Sequence, residues 1–458
     1  MSRGHPAPRS ADAIGRTAIG PRALPDLIRV KAARPPASQE SVLGNGLTVV
    51  AVRRTGAPLV EVRLWIPFGG RTEQHAARAE LLAASAMMGT AERSREDVNI
   101  ALAEVGGTLH ATVNPERLLF TGSVLANGLP DLVNVLAEVL TTAAYRKSDV
   151  LGERDRLVEH LTLAAAEPST AARRALQRQR FGTHPASREM PDVEQVAEVT
   201  PAAVRGLHRR AVVPGGATVV LVGDLSPKRT IGQVEAVLAP WTAPRAAAVL
   251  GTPPMVVGSD VRALHRDGSV QSQVRLTGPA LTRSSPAYTA LQVANLVYGG
   301  YFSSRLMENI REDKGYTYSA GSTIEFWPGR AALTVAFDTT TESTAAALLE
   351  ARYELGKLAL TAPTSAEVES ARNYALGTLA ISLGTHAGFA STLARIHGAG
   401  LDLSWLRAHP ARLASVTLDQ VAAAAADHLA PSQFTGIVLG DLDVISGELS
   451  RVGGVSLP

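Results

Sequence analysis

Alternating apolar and polar positions mark the strands of this chain, and a helical period marks much of what lies between them. Leu47–Val52 (LTVVAV) and Leu59–Phe68 (LVEVRLWIPF) read as strands; in the second, Val60, Val62, Leu64 and Ile66 share one face and Glu61 and Arg63 the other. A helix is predicted over about Glu73–Met88. Another starts at Ser94, where Asp97 completes a capping pattern three residues on. Gly106-Gly107 ends that helix as a turn and opens two further strands, Thr108–Val113 and Arg117–Val124. Helices follow at about Pro130–Leu140, Ser148–Glu167 and Thr170–Phe181.

A repeat organises the rest. Residues 199–225 (VTPAAVRGLHRRAVVPGGATVVLVGDL) align without a gap on residues 416–442 (VTLDQVAAAAADHLAPSQFTGIVLGDL), 217 positions later. In each copy a Thr suited to a helix N-cap precedes a helix that ends near a Pro, and an apolar strand then runs into Gly-Asp-Leu. The second copy echoes the earlier pattern as well: a strand at Val274–Leu276, helices at Pro286–Val297 and Arg305–Asp313, strands at Tyr316–Phe326 and Arg330–Asp338, and long helices at Ser343–Leu360 and Ser365–Leu383. The expected architecture is α+β: two homologous units of about 210 residues, each a largely antiparallel sheet with helices on one face. Expected boundaries are an N-terminal arm or strap at 1–40, a first unit at 41–242, an ordered crossing rich in Pro and small residues at 243–259, and a second unit at 260–458.

Composition narrows the chemistry. Of 458 residues, 45% are hydrophobic and 19% charged, a globular balance with apolar residues enough for substantial cores. The net charge of +3 carries no basic footprint for nucleic acid. The chain has no cysteine, which excludes disulfides, thiolate zinc sites, iron–sulfur clusters and cysteine nucleophiles. No apolar run is long enough to cross a membrane, and the N-terminal segment lacks the apolar core of a secretory signal. A cytoplasmic location is the expectation.

Residues 299–320, GGYFSSRLMENIREDKGYTYSA, carry Gly-Gly, Ser-Ser-Arg-Leu, Ile-Arg-Glu, Gly and Tyr-Ser in register. This segment resembles the C-terminal signature of the insulinase-like metallopeptidases, the family of pitrilysin and the mitochondrial processing peptidases. The resemblance extends over about residues 40–450 and includes the two-unit organisation. It implies the short form, in which two such chains close a chamber of four units.

Active chains of that family carry His-x-x-Glu-His on a helix of the first unit, before a Gly-Thr pair. Two His at i and i+4 share a helical face and can hold one zinc, with the Glu as general base. Counting back from Gly89-Thr90, the window falls on Glu80, Leu81, Leu82, Ala83 and Ala84, so both histidines and the glutamate are missing. All eleven histidines are at least eleven residues apart, so no helical His pair exists anywhere in the chain. The family's third ligand would fall near Glu159 or His160, which with Glu153 read as a solvated helix face. Glu73, His75 and Glu80 crowd the start of the same helix, but their spacings do not bring all three to one metal.

The resemblance also implies an Arg and a Tyr seven residues apart that reach toward the metal from the second unit. Arg311 and Tyr318 have that spacing. A guanidinium and a phenol hydroxyl can hydrogen-bond a peptide carbonyl and oppose the charge of a tetrahedral intermediate. The competing reading pairs Arg311 with Glu308 or Glu312 and packs Tyr318 on the sheet. Gly299-Gly300 reads as close packing at a helix–loop junction, because neither a P-loop Lys nor a βαβ context accompanies it. Ser303 and Ser304 lack the His and Asp pattern of a serine hydrolase.

The expectation is therefore a non-metal subunit of a heterodimeric zinc endopeptidase, inactive alone and contributing substrate binding and transition-state stabilisation. No cofactor is expected in this chain. A homologous partner would hold the zinc, and a peptide or leader segment would be the substrate, added as a β-strand to a sheet edge. The alternative is a non-catalytic scaffold or peptide-binding member of the same family. Neither nucleic acid nor membrane is an expected partner.

Overall fold

The structure, a computed structural model, describes residues 36–458, so positions 1–35 of the expected arm lie outside the described residues. The first half builds a six-stranded sheet in the order β1-β2-β6-β3-β5-β4 from Ser38–Val42 (β1), Thr48–Arg53 (β2), Leu59–Pro67 (β3), Thr108–Val113 (β4), Arg117–Leu125 (β5) and Thr218–Gly223 (β6). Only β2 and β6 pair in parallel. Helices α1 (Gln74–Ser85), α2 (Arg95–Glu104), α3 (Leu129–Thr142), α4 (Lys147–Ala166), α5 (Pro168–Phe181), α6 (Pro201–Ala211) and α7 (Pro227–Leu238) complete it. Ser94 and Asp97 form the reciprocal capping box at the start of α2.

The second half repeats the plan in the order β12-β7-β11-β8-β10-β9, with β7 at Val261–His265, β8 at Gln271–Ala280, β9 at Ala320–Trp327, β10 at Arg330–Thr340, β11 at Thr435–Gly440 and β12 at Val455–Ser456. Its helices are α8 (Tyr288–Asn295), α9 (Thr344–Leu360), α10 (Ser365–Gly384), α11 (His386–Gly398), α12 (Leu403–Ser415), α13 (Leu418–His428) and α14 (Leu442–Leu449). The 217-residue offset carries α6 onto α13 and β6 onto β11 residue for residue. Residues 243–259 connect the halves with no helix or strand. This crossing is anchored: Leu250 and Val256 are buried, and Gly69 donates to the Ala248 carbonyl. Residues 37–458 form one compact unit.

Each sheet packs one face on its own helices, as expected. Val60, Val62, Leu64 and Ile66 of β3 lie in that core with α1 and α3. The other face is covered by a helix of the opposite half. Phe389, Ala390, Leu393, Ala394 and Ile396 of α11 pack on Val50 and Val52 of β2 and on Val220 and Val222 of β6. Reciprocally, Ala172 and Leu176 of α5 pack on Ile437 and Leu439 of β11. The same offset relates α5 to α11, so the exchange is pseudo-symmetric.

Glu61 and Arg63, polar in the strand pattern, are therefore buried. Arg63 pairs with Glu61 at 2.9 Å, donates to the Gly122 carbonyl and reaches Ser391 Oγ on α11 at 3.0 Å. A buried pair is tolerated when its remaining donors are also satisfied, and here they are. Gly398 ends α11 against the Trp65 ring, where a Cβ would come within 2.3 Å of ring carbon.

Three of the departures from the sequence pattern bear on the packing and the site. Strand β9 begins at Ala320 rather than Tyr316, because Thr317 Oγ1 donates to the Ser319 and Asp338 carbonyls and holds the segment as a loop. Residues Leu296–Gly300 and Glu308–Asp313 wind as π-helix, and Gly299 and Gly300 pack there against Ser322 and Leu296. Helix α11 has no counterpart in the periodicity reading, since Gly384 and Gly388 bracket its start like a loop.

Because Leu393 is fully buried in the exchange, Leu393→Ala should cost about 2–5 kcal/mol of unfolding free energy. Leu163→Ala, on an exposed position of α4, should change it by less than about 0.5 kcal/mol. Urea denaturation monitored by far-UV circular dichroism measures both. A Leu393→Ala loss no larger than the control's would show that α11 does not hold the halves together.

Candidate functional site

Helix α1 carries the positions where the resemblance would put zinc ligands. Ala83 is buried in the first core and Ala84 is half-buried, and neither offers a donor atom. Glu80 faces a small cleft with about 360 Å³ of empty space, shared with His75, Asn114 and Arg188. Burial with no opposing charge pushes the Glu80 carboxyl up to about 7. The His75 ring leans on Phe68 with centroids 5.5 Å apart, and its Nε2 lies 3.0 Å from the Phe68 carbonyl oxygen. Burial, partly offset by that carbonyl, lowers the His75 pKa. Glu73 is turned toward Arg188, 3.7 Å away.

On α4, Glu153 pairs with Arg156 at 2.7 Å, while Glu159 and His160 are exposed. One carboxylate, a histidine engaged by a backbone carbonyl and two methyl groups do not fit a zinc ion, which takes four nitrogen, sulfur or oxygen donors in a tetrahedron. Among the described residues, one trio of possible metal donors does converge within 4.8 Å: His265, Asp441 and Asp443. The sequence reading did not single it out. Two of these groups serve the fold: His265 Nδ1 accepts from the Leu442 amide, and Asp441 caps α14 through the Asp443 amide.

Arg311 and Tyr318 do come together. A short helix at Arg305–Met307 runs into the π-helical turn of Glu308–Asp313, anchored by buried Leu306, Met307 and Ile310. The turn ends at Gly315, whose φ of +64° lies in the left-handed region, and the Tyr316 amide donates back to the Ile310 carbonyl. Arg311 then projects from the open side. Its guanidinium pairs with Glu312 at 3.1 Å and lies 4.8 Å from the Phe302 ring centroid and 5.5 Å from that of Tyr318.

Tyr318 is not packed on the sheet: it is 88% exposed, and Phe302 is 62% exposed. Its backbone is nonetheless held, since the two residues before it are tied down. Thr317 Oγ1 donates to two carbonyls, and the Tyr316 carbonyl accepts from Thr339. The arrangement is a fixed loop presenting a guanidinium beside the ring of an exposed tyrosine. Such a pair can donate two hydrogen bonds to one carbonyl oxygen and stabilise negative charge that develops there. Phe302 is the member sequence reasoning did not pick out; its only signal was a place inside the signature segment.

Two models of one family match the chain: insulinase (peptidase family M16) over residues 48–192, and the peptidase M16 inactive domain over 198–374. The chain is 27% identical over 420 residues to an uncharacterized zinc protease of Mycobacterium tuberculosis (strain ATCC 25618 / H37Rv), an alignment covering 88% of this chain and 93% of that protein. It is 27% identical over 128 residues to the mitochondrial-processing peptidase subunit beta of Rattus norvegicus, covering 28% of this chain and 26% of that one. The crystal structure of a peptidase M16 inactive domain from Pseudomonas fluorescens superposes with a TM-score of 0.81 at 21% identity, over 88% of this chain and 98% of that one.

Glu80 supplies a test of the dry cleft. A carboxyl whose folded pKa is raised contributes stability that is complete below its unfolded value of about 4.5 and is lost as pH rises through about 7. Glu80→Gln removes that dependence. The variant should match the parent near pH 5 and exceed it at pH 8 by an amount on the order of 2–3 kcal/mol. Urea titrations at the two pH values give the difference, and an equal difference at both would show that Glu80 is not desolvated.

Proposed function

The chain belongs to the insulinase family of M16 peptidases, and on that premise we propose that it is the non-metal subunit of a heterodimeric zinc endopeptidase. One observation carries the proposal: Arg311 and an exposed Tyr318 are presented together on a chain whose helix α1 has alanines where the metal-binding window would need donors. The homologous partner would hold the zinc, and this chain's residues would act on the substrate. The Tyr318 hydroxyl and an Arg311 N–H would donate to the scissile carbonyl, gripping it in the ground state and opposing the charge on its oxygen as the tetrahedral intermediate forms. Phe302 would keep the guanidinium oriented by stacking beneath it. The peptide would add as a strand along a sheet edge, of which β4 and β9 are the outer members in the two halves. Pairing with a second chain accords with the rat relative, which is the beta subunit of a processing peptidase. A cytoplasmic location remains part of the proposal.

A second reading has a specific observation in its favour. Arg311 already has a carboxylate partner in Glu312, as a purely structural residue would. On that reading the chain is a scaffold or peptide-binding member of the family, and its Tyr318 hydroxyl has no role in cleavage.

Reconstitution with the zinc-bearing partner separates the two. Tyr318→Phe, which removes one hydroxyl and keeps the ring, should lower peptide turnover by about 10²–10³-fold. Arg311→Ala should lower it at least as far. Both variants should retain the dimer mass and melting temperature of the parent. Turnover within twofold of the parent for both would establish the scaffold reading. In metal analysis the purified chain alone should retain no stoichiometric zinc; one zinc per chain, lost on mutating Glu80 or His75, would return the metal site to this subunit.

A further inference from the structure

At the junction of the two halves the β4–β5 turn, the segment after β8, the β9–β10 turn and the end of α11 surround a cleft with about 1470 Å³ of empty space. Three arginines line it from three different elements: Arg117 at the start of β5, Arg283 after β8 and Arg395 on α11. The single carboxylate among the lining residues is Glu116.

None of the three arginines has a carboxylate within 4.0 Å among the described residues. Arg117 lies over the Trp65 ring at 4.4 Å, and Arg283 lies over the Phe326 ring at 3.5 Å. Arg283 also hydrogen-bonds the Tyr288 hydroxyl, and Arg395 reaches the Thr392 hydroxyl at 3.4 Å. The aromatic walls thus occupy guanidinium faces and leave in-plane N–H groups for another partner. Burial lowers the pKa of Arg117 and Arg283; the charge of Glu116 acts against this in both, and that of Arg395 adds to it. His409, stacked between Trp405 and Tyr288 behind Arg283, is pushed down to about 4 by burial and by Arg412 and Arg283. It is neutral at pH 7, so the positive charge of the cleft belongs to the arginines alone.

Two partly desolvated guanidiniums and an exposed third, facing one carboxylate, are an unfavourable arrangement until an anion enters. Planar, bidentate N–H forks match a carboxylate. Resting on the peptide-handling reading above, we propose that this cleft binds a carboxylate carried by a peptide, either an acidic side chain or the C-terminal group. The aromatic walls of Trp65, Phe326 and Trp327 take apolar neighbours of that group. The cleft shares no lining residue with Arg311 and Tyr318, and it sets which peptides the chain retains.

The test is fluorescence anisotropy of the full chain with three labelled octapeptides: one bearing two Glu and an amidated C-terminus, its Gln counterpart with the same amide, and the Gln peptide with a free C-terminus. At low salt the Glu peptide, or the free-carboxylate peptide, should bind at least tenfold tighter than the neutral amide. The preferred one identifies the source of the carboxylate, and the preference should shrink as salt rises. In the Arg117→Gln/Arg395→Gln variant, with its melting temperature checked, the preference should fall below twofold. Arg395→Gln alone, on an exposed position, should reduce it at least threefold and serves if the double variant unfolds. Equal binding of all three peptides, or a preference that survives both variants, overturns the inference. Loss of cleavage on Tyr318→Phe alongside equal binding would leave the endopeptidase reading intact and sink only the carboxylate site. A clear acidic preference with no Tyr318→Phe effect would do the reverse.

Discussion

Two arginines at corresponding places in the repeat, Arg54 after β2 and Arg266 after β7, each reach the carbonyl end of a helix in the other half. Arg54 donates to the carbonyls of Leu383, Gly384 and Thr385, where α10 gives way to α11. Arg266 donates to the Ala166 carbonyl at 2.7 Å, where α4 gives way to α5. Ala166 and Leu383 are 217 positions apart, the spacing of the repeat itself. Each guanidinium satisfies carbonyls left open at a helix end and sits at the negative pole of that helix. The helix that follows then lies across the other half's sheet. The exchange converts two units, each with one exposed sheet face, into a single body with both faces covered.

That exchange also fixes where chemistry can happen. With α5 and α11 in place, the β4–β5 and β9–β10 hairpin turns are brought to a common cleft, whose arginines come from three elements and converge only because the halves are locked. Arg180 on α5 shows how completely the lock is satisfied. It pairs with Glu325 at 2.6 Å, donates to Thr334 and is held between the rings of Phe181 and Trp327. Its neighbours across the cleft, Arg117, Arg283 and Arg395, have no such acid. The contrast distinguishes arginines that hold the fold from arginines left available for a ligand.

The sequence made the repeat, most strands and the capping of α2 legible because these depend on local pattern: alternation, N-cap chemistry and a constant offset. It made the absence of a helical histidine pair legible for the same reason, as spacing alone decides it. What it hid was every feature that depends on the other half. Glu61 and Arg63 read as the polar face of their strand, and they lie under α11, because alternation shows which residues share a face and not what covers that face. Strands β7 and β12 are short, and β7 pairs with β11 and β12, neighbours far along the chain. Arg117, Arg283 and Arg395 are separated by more than a hundred residues at each step and form a group only in three dimensions.

The two halves treat their polar groups in opposite ways, and the difference bears on what each is for. In the first half, alanines at 83 and 84 let α1 settle into the core, and the carboxyl of Glu80 is left in a dry cleft where ionisation is penalised. Nothing in that arrangement rewards a charge. In the second half, a π-helical turn, a left-handed glycine and the hydrogen bonds of Thr317 hold a half-buried Arg311 beside an exposed Tyr318, and neither side chain belongs to a hydrophobic core. Two large exposed rings around a cation are poor surface for a chain that works alone, since apolar area left in water stabilises nothing. A rigid loop that spends order on presenting such a group is best explained by a second surface facing it, which on the proposed reading is the partner's substrate-bearing half.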